Sequence, residues 1–501
     1  MIDSRSMRIV LSQCPAWHTQ PPLALGIMTA IAKQIPDITV SVVDINQLFY
    51  KQILLKTEDS LLQTDFWSHE NIERYWLDEN FVKQVMLTYS DLINTYINTL
   101  IANSDKLITF TLYYTSKFFT YEVIRQIKVR APHKIILCGG PLCFTTSEGK
   151  NILNSCAEID GICYGEAESV FADILRSVRT EGVLPELPGL AIRRDHTIID
   201  CGESQESFPM DSIPFADYSA VDVQQYVPRI LPVYMSRSCI NKCRYCNEKA
   251  SWGKYRFRKP QRVVDDILYQ KQAFSEYEYL FFTDSLLNAS IEHLVELCAE
   301  LNKREVNIYW GCQCMIRQEM TELVFQKMAS AKCNSVTVGL ESGSNNVLSL
   351  MGKHYSVRDA EAMFAAARVA GISIHANIIV GYPGESKWNF LETVYFACKM
   401  KMKFGVTFAV LICCISNGSY LHQHLDALGI VLPQDWLWHT KDNSNTISIR
   451  RSRQYFLSQC LNLVQGHSFG WGLLNNIARY LFKTECLDMV SPTPSGVLLS
   501  K

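Results

Sequence analysis

Three cysteines stand at the spacing C-x3-C-x2-C within Arg237-Ser238-Cys239-Ile240-Asn241-Lys242-Cys243-Arg244-Tyr245-Cys246. Three thiolates on one short loop can ligate three irons of a cubane cluster, Cys239, Cys243 and Cys246 each holding one, and leave the fourth iron open to a substrate. Soft thiolates suit iron–sulfur chemistry. The competing use of such a loop is a zinc site. Structural zinc takes four ligands, and no fourth Cys or His follows at zinc-finger spacing. The chain has 18 cysteines in all. Most of the others are scattered and read as small buried hydrophobes. Cys312 and Cys314 sit at the end of a predicted strand, where they could face a cavity, and a core or cavity-wall role is read ahead of a catalytic one.

A reactive loop needs rigid elements behind it. Residues 1–180 alternate short apolar runs with helical stretches. Strands are expected at 8–11, 39–43, 107–112, 134–138 and 159–163, with helices at 23–33, 121–129 and 169–178 and a polar, aromatic helical insertion over 55–103. That alternation predicts a doubly wound parallel α/β sheet, with ligands beyond the carboxyl ends of its strands. Gly, Pro, Asp and Thr cluster at those ends. Residues 181–226 are rich in Pro, Gly, Asp and Ser and read as a connector with a small hairpin over 189–200. A second series fills 227–421, with strands expected at 233–237, 279–283, 307–311, 335–340, 373–380 and 406–413. Its six βα units suit an open partial barrel, though periodicity alone leaves a flat sheet possible. The cysteine loop follows the first of these strands. Residues 422–501, with Trp436, Trp438, Tyr455, Phe456 and Trp471, read as a mostly helical C-terminal cap.

Composition limits the functions available. With 501 residues, two or three domains are expected. Lys and Arg number 48 against 50 Asp and Glu, a formal net charge of −2, so there is no overall basic footprint for nucleic acid. No run of apolar residues reaches the length of a membrane span, and the first residues lack a signal-peptide pattern. These features predict a cytoplasmic, reduced protein, in which unusual cysteine spacing points to metal or catalysis before disulfides.

The cysteine loop, with Tyr245 before its last cysteine, resembles the cluster loop of the radical SAM superfamily. The following Asn247 to Arg258 is similar to the cobalamin-dependent branch of that family. Phe281-Phe282-Thr283-Asp284-Ser285, Gly339-Leu340-Glu341-Ser342-Gly343 with Lys353, and Ile379-Val380-Gly381-Tyr382-Pro383-Gly384-Glu385 resemble later strand ends of the barrel, in the expected order. The specific resemblance covers 231–421 and extends loosely over 1–215. It implies a 4Fe-4S cluster on Cys239, Cys243 and Cys246, with S-adenosylmethionine on its open iron. Tyr245, Val380 and Gly381 would lie toward adenine, Glu341 and Ser342 toward ribose, and Asp284 or Ser285 toward the methionine end. Taken alone, Glu341 could instead form a barrel-rim salt bridge and Asp284 a helix N-cap.

Residues 1–180 resemble a Rossmann-like cobalamin-binding module, from Pro21-Pro22-Leu23-Ala24-Leu25-Gly26 onward. Thr111, Thr115, Gly139, Gly140, Gly165 and Glu166 would line the corrin and its nucleotide tail. The alternative is a degenerate flavodoxin-like fold without cofactor. Asp-x-His-x-x-Gly, the usual cobalt-ligand motif, is absent, so His18 reads as a loop histidine. A second departure is Ile415-Ser416-Asn417-Gly418-Ser419, where the family often has Pro-Gly-Thr.

The resemblance implies a radical C-methyltransferase that uses a 5′-deoxyadenosyl radical and methylcobalamin on a small-molecule or peptide substrate. An electron donor such as flavodoxin or ferredoxin would serve it, and no nucleic acid or membrane partner is expected. The alternative on the same scaffold is a cobalamin-dependent cyclase, oxidase or ring-rearranging enzyme. A tRNA methylthiotransferase is less well matched, since residues 1–180 lack a second cysteine triad. A non-enzymatic cobalamin protein would leave the cysteine loop unexplained.

Overall fold

The computed structural model describes residues 7–13, 20–49, 75–195, 197–203, 208–226, 229–433 and 437–464. The first series of strands is β1 Met7–Gln13, β2 Ile38–Asp44, β3 Leu107–Thr111, β4 Ile135–Gly139, β5 Gly161–Cys163, β6 Leu190–Arg194 and β7 Thr197–Asp200, joined in the order β2-β1-β3-β4-β5-β6-β7. The first five are parallel; β6 pairs antiparallel with β5, and β7 antiparallel with β6. Side chains alternate across this sheet as the strand period of two requires. Ile9 and Leu11 of β1 enter one apolar core, while Val10 enters a second with Ile108 and Phe110. Strand order reverses between β1 and β3, the switch point where a doubly wound sheet opens a crevice beyond its carboxyl ends.

Two expectations about the linking region change. The hairpin predicted within a connector is β6–β7, and it completes the first sheet. Residues 208–226 are no slack linker either. Asp217 N–H donates to Gly26 O at 2.9 Å, Gln270 Nε2 donates to Ala216 O at 2.5 Å, and Tyr226 Oη donates to Asp44 Oδ2 at 2.5 Å. Ile213 and Tyr218 are buried in the same apolar core as Leu25 of the first series and Val263 of the second. Pro, Asp and Ser suppress regular secondary structure in this stretch, but its apolar residues still staple the two halves together.

The second series comprises β8 Ile230–Val233, β9 Ser236–Arg237, β10 Arg256–Phe257, β11 Tyr279–Phe282, β12 Tyr309–Cys314, β13 Cys333–Glu341, β14 Ser373–Val380 and β15 Thr407–Ile412. Six parallel strands run β15-β14-β13-β12-β11-β8, in sequence order, as an open barrel-like sheet. Helices Pro260–Ala273, Ile291–Lys303, Glu322–Ser330, Val357–Val369 and Lys387–Phe404 separate β11 to β15 from the strands before them. The first strand ends earlier than 233–237. The Asp284 carboxylate accepts the N–H groups of Met235 and Ser236, which takes the chain out of the ladder. Ser236–Arg237 then pairs antiparallel with Arg256–Phe257, a small ribbon bracketing the cysteine loop.

The cap is mixed where it is described. β16 Ile430–Val431 pairs antiparallel with β17 His439–Thr440, and helix Ile447–Leu463 packs on β15 and on helix Lys387–Phe404. Trp436 and Trp471 lie outside the described residues. Among the described residues no helix is long and apolar enough to cross a membrane.

Candidate functional site

The cysteine loop is held by backbone from two directions. Arg244 N–H donates to Met351 O at 2.9 Å, and Leu421 N–H donates to Arg244 O at 3.0 Å. Ser238 adopts φ +73°, and its hydroxyl donates to Gly253 O at 2.8 Å. N–H groups of Asn241 and Glu248 lie 3.4 Å from the sulfurs of Cys239 and Cys246. Backbone donors aimed at sulfur favour a thiolate and tune a cluster's potential. Cys239 and Cys243 are partly exposed and Cys246 is exposed, all three as free thiols. Among the described residues no group of three or more His, Cys, Asp or Glu is arranged around a single metal ion. The loop offers three separate sulfurs, those of Cys239 and Cys246 with amide support, a donor set that fits a cubane cluster.

Glu341 closes β13 in the left-handed region, φ +63°, where a non-glycine residue costs roughly 1–3 kcal/mol unless its surroundings hold it. Here they do. Its Oε1 accepts Tyr245 Oη at 2.7 Å and Lys353 Nζ at 3.2 Å. Lys353 lies 5.5 Å from the Tyr245 ring. Burial opposes the ammonium charge, but Glu341 and the neighbouring Tyr355 and Tyr245 hold the Lys353 pKa well above its ordinary value. Burial, then Glu341, raises Tyr245. The side chain predicted to face ribose thus takes the barrel-rim salt bridge and joins the cysteine loop to the fourth strand end.

Other predicted contacts are also engaged within the protein. Asp284 is neither an N-cap nor open to a cavity. Its carboxylate accepts Met235 N–H at 3.0 Å, and Ser236 N–H and Oγ at 2.5 Å each. Burial raises its pKa to about 6 against those hydrogen bonds. Ser342 Oγ pairs with Thr393 Oγ1 at 2.9 Å and accepts Ser344 N–H, so it braces a turn. Val380 is buried, and its carbonyl accepts Cys413 N–H at 2.9 Å. Gly381 donates to Glu385 Oε2 at 2.6 Å, and its carbonyl accepts Asn445 Nδ2 at 2.8 Å. Its φ is +73°, and a Cβ there would stand 2.3 Å from Arg450 Cγ, so only glycine fits. Ser285 bonds Glu248, a half-buried carboxyl whose pKa is raised by loss of solvent.

Cys312 and Cys314 sit in the core, one of the two places expected of them. Their sulfurs are 3.7 Å apart, and both side chains are buried in the core instead of facing a cavity. The contact with Cys312, then burial, raises the Cys314 thiol well above the usual range; the same contact lowers Cys312, but its contact with Cys333 and its burial still hold it well above that range.

The two sheets meet at their carboxyl ends. A cavity of ≈ 280 Å³ there is lined by Thr111, Gly139, Gly140, Gly165 and Glu166 from the first sheet and by Arg237, Glu248, Trp252 and Ser285 from the second. Leu23, Ile27 and Leu137 make its apolar floor. Gly140 has φ +101°, and a Cβ would stand 2.8 Å from Thr111 Cγ2. Thr115 belongs to the turn Tyr114–Ser116 and lines neither this cavity nor the next. Glu166 lines the cavity, but its carboxylate is paired with Arg237 at 3.3 Å and with Arg256, and Arg237 also pairs with Glu168. His18 lies outside the described residues.

A larger cavity of ≈ 820 Å³ lies alongside, with Tyr114, Lys117 and Glu148 on one wall and Asn247, Ser416 and Asn417 on the other. Asn247 adjoins Cys246, so this space reaches the cysteine loop. Asn417, in the turn that departs from Pro-Gly-Thr, donates to Glu148 Oε1 at 3.2 Å. Sequence reasoning missed the Arg237–Glu166–Arg256 latch and the roles of Glu248 and Asn417. One signal was present: Gly-Glu closes β5, and arginines flank the loop.

Residues 233–397 match the sequence model of the Radical SAM superfamily. The chain is 22% identical over 370 residues to an uncharacterized methyltransferase of Pyrococcus horikoshii, covering 72% of this chain and 79% of that protein. It is 23% identical over 297 residues to an anaerobic magnesium-protoporphyrin IX monomethyl ester cyclase of Cereibacter sphaeroides, spanning 56% of this chain and about half, 47%, of the cyclase. Among solved structures, the radical S-adenosylmethionine methyltransferase TsrM from Kitasatospora setae, with cobalamin and a [4Fe-4S] cluster bound, superposes with a TM-score of 0.60 at 17% identity. That alignment covers 85% of this chain and 76% of TsrM, and it establishes a shared fold.

Proposed function

We propose that this chain, a radical SAM superfamily protein through residues 233–397, is a cobalamin-dependent radical SAM enzyme that methylates an unactivated carbon. The observation that carries the reading is the meeting of two strand-end sites. Arg237, Glu248 and Trp252, which flank the three-cysteine loop, share one cavity with the strand ends of the first sheet, and Asn247, next to Cys246, lines the cavity beside it. Bound there, a 4Fe-4S cluster with S-adenosylmethionine would supply a carbon-centred radical, and cobalamin a transferable methyl group.

In this reading Cys239, Cys243 and Cys246 hold the cluster, and Asn241 and Glu248 direct amide hydrogens at the sulfurs. Tyr245, Glu341 and Lys353 fix the inner side of the loop. Ser285 and Glu248 stand nearest the methionine end, while Val380 and Gly381 shape an apolar wall for the adenine. Thr111, Gly139, Gly140 and Gly165 let a large planar ligand approach backbone closely. Glu166, with Glu168, holds the barrel's arginines. The ≈ 820 Å³ space is within the size range of small-molecule sites, and we assign it to a small-molecule or peptide substrate.

The test is an anaerobic assay with methyl-labelled S-adenosylmethionine and candidate substrates. Each labelled product should come with one S-adenosylhomocysteine and one 5′-deoxyadenosine. Similarity to the magnesium-protoporphyrin cyclase favours a second reading, cyclisation or rearrangement without methyl transfer. Deoxyadenosine formed with a consumed substrate and no label in the product would establish that second reading and end the first.

A further inference from the structure

Between Arg237 and Arg262 the chain carries nine Lys or Arg and one acid, Glu248, although the whole protein has a formal charge of −2. Part of this cluster is spent internally. Arg237 and Arg256 pair with Glu166 and Glu168, Arg258 pairs with Asp266, and Arg262 stacks on the Phe215 ring at 3.8 Å. Asp211 accepts only the backbone N–H of Lys259, whose side chain is exposed and forms no ion pair among the described residues. Lys242, Arg244, Lys249 and Lys254 remain exposed, and none of the four forms an ion pair among the described residues. They flank Cys243 and Cys246 in the chain. The loop is two-sided: Tyr245 turns inward to Glu341, whereas Cys246 and the four cations reach solvent.

We propose that this basic rim is the docking surface for an acidic protein that carries single electrons, a reduced flavoprotein or iron–sulfur protein. The inference rests on the radical SAM reading, in which each cleavage of S-adenosylmethionine consumes one electron from outside. Transfer oxidises the carrier by one electron and reduces the loop-bound cluster by one, and no bond forms or breaks. A concentrated positive rim on a nearly neutral molecule attracts an acidic partner from a distance and orients it with the exposed edge of the loop foremost. Surface cations left without partners retain that field at low salt and lose it as the screening length shrinks. A nucleic acid backbone would answer to the same charge. The electron carrier is favoured because the cations surround the redox loop and not the larger cavity, where a substrate would enter.

The experiment uses the full chain with its cluster reconstituted. Stopped-flow absorbance follows cluster reduction by a fully reduced, negatively charged flavodoxin, and separately by photoreduced deazaflavin, a small donor that needs no docking. Lys242→Glu, Lys249→Glu and Lys254→Glu are combined in one variant and replaced by Gln in another. Arg244 is left alone because it braces the loop and lies 5.1 Å from the Tyr420 ring. The flavodoxin rate constant should fall about tenfold or more in the Glu variant and less in the Gln variant. The wild-type rate should fall with added salt, and deazaflavin rates should agree among all three proteins. An unchanged flavodoxin rate overturns the proposal, as does an equal loss with deazaflavin, which would give the lysines a role in the loop itself. Tight binding of an RNA oligonucleotide that the Glu variant loses, with the flavodoxin rate unchanged, would reassign the rim to nucleic acid. If the wild type assembles no cluster, the radical SAM reading fails and the docking proposal falls with it; an assembled cluster with unchanged rates condemns the docking proposal alone.

Discussion

A carboxylate sealed at the root of the cysteine loop decides where that loop begins. Asp284 accepts the N–H groups of Met235 and Ser236, which end β8 and turn the chain outward two residues before Ser238. Burial raises the Asp284 pKa to about 6, while the hydrogen bonds from Ser236 and Met235 pull it the other way. Its ordinary value is 3.8. An acid whose folded-state pKa lies above its unfolded-state value keeps its proton longer when folded. Its contribution to stability is complete below the unfolded value and is lost as pH rises through the folded one. A difference of two pKa units corresponds to about 3 kcal/mol. Denaturant unfolding at closely spaced pH values should therefore show wild type losing up to about that much stability, relative to Asp284→Asn, between pH 4 and pH 6, with a constant difference above pH 7. A difference that stays flat from pH 4 to pH 6 would mean that Asp284 is ionised throughout and that solvent reaches it.

At the scale of elements, the ribbon β9–β10 joins the two halves of the protein. Arg237, on β9, is 9% exposed and pairs with Glu168, itself 8% exposed, and with Glu166; Arg256, on β10, pairs with Glu166. Arg237 also lies 5.2 Å from the Trp252 ring, beside the cavity between the sheets. Removing one member of a buried ion pair leaves an unpaired charge and costs about 3–5 kcal/mol. Arg237→Met should lose about that much stability, and Arg237→Met combined with Glu168→Gln should regain part of it. Hydrogen exchange in the single variant should speed up at 165–169 and at Arg256–Phe257 before it changes in β13 or β14. Uniform acceleration across the barrel would refute a local latch. The sequence exposed only part of this arrangement. The three cysteines are legible because their ligation is local, and the βα alternation is legible because period and strand-end glycines are local too. The latch joins Glu166 to Arg256, 90 residues away; Glu166 is legible as a strand-end residue facing a ligand, but nothing in either local window pairs it with an arginine. Glu341 and Lys353 drew notice through resemblance, but the conformation of Glu341 and its pairing with Tyr245 are tertiary facts.

The whole molecule depends on a segment that composition marks as a linker. Pro, Gly, Asp and Ser between 181 and 226 deny it helix and regular strand beyond the β6–β7 hairpin, and periodicity therefore divides the chain there. Burial tells otherwise. Ile213 and Tyr218 are at most 1% exposed, and the core they enter runs from Ile9 and Leu25 of the first sheet to Val263 and Phe282 beneath the barrel. A core shared by both halves opposes their independent unfolding, because separating them would expose apolar surface on each. Full-length protein should accordingly unfold in urea as one transition, with near-ultraviolet circular dichroism, tryptophan fluorescence and hydrogen exchange of β1 and β13 coinciding. Tyr218→Ala removes an aromatic from this joint and should cost about 3–5 kcal/mol, and it should also separate the transitions of the two sheets. If wild type already unfolds in two well-spaced steps, the joint contributes little and the halves are autonomous domains. If Tyr218→Ala loses stability while keeping a single transition, cooperativity resides elsewhere, and the latch between β9–β10 and Glu166, with the Asn417–Glu148 hydrogen bond, then holds the two strand-end sites at a fixed separation.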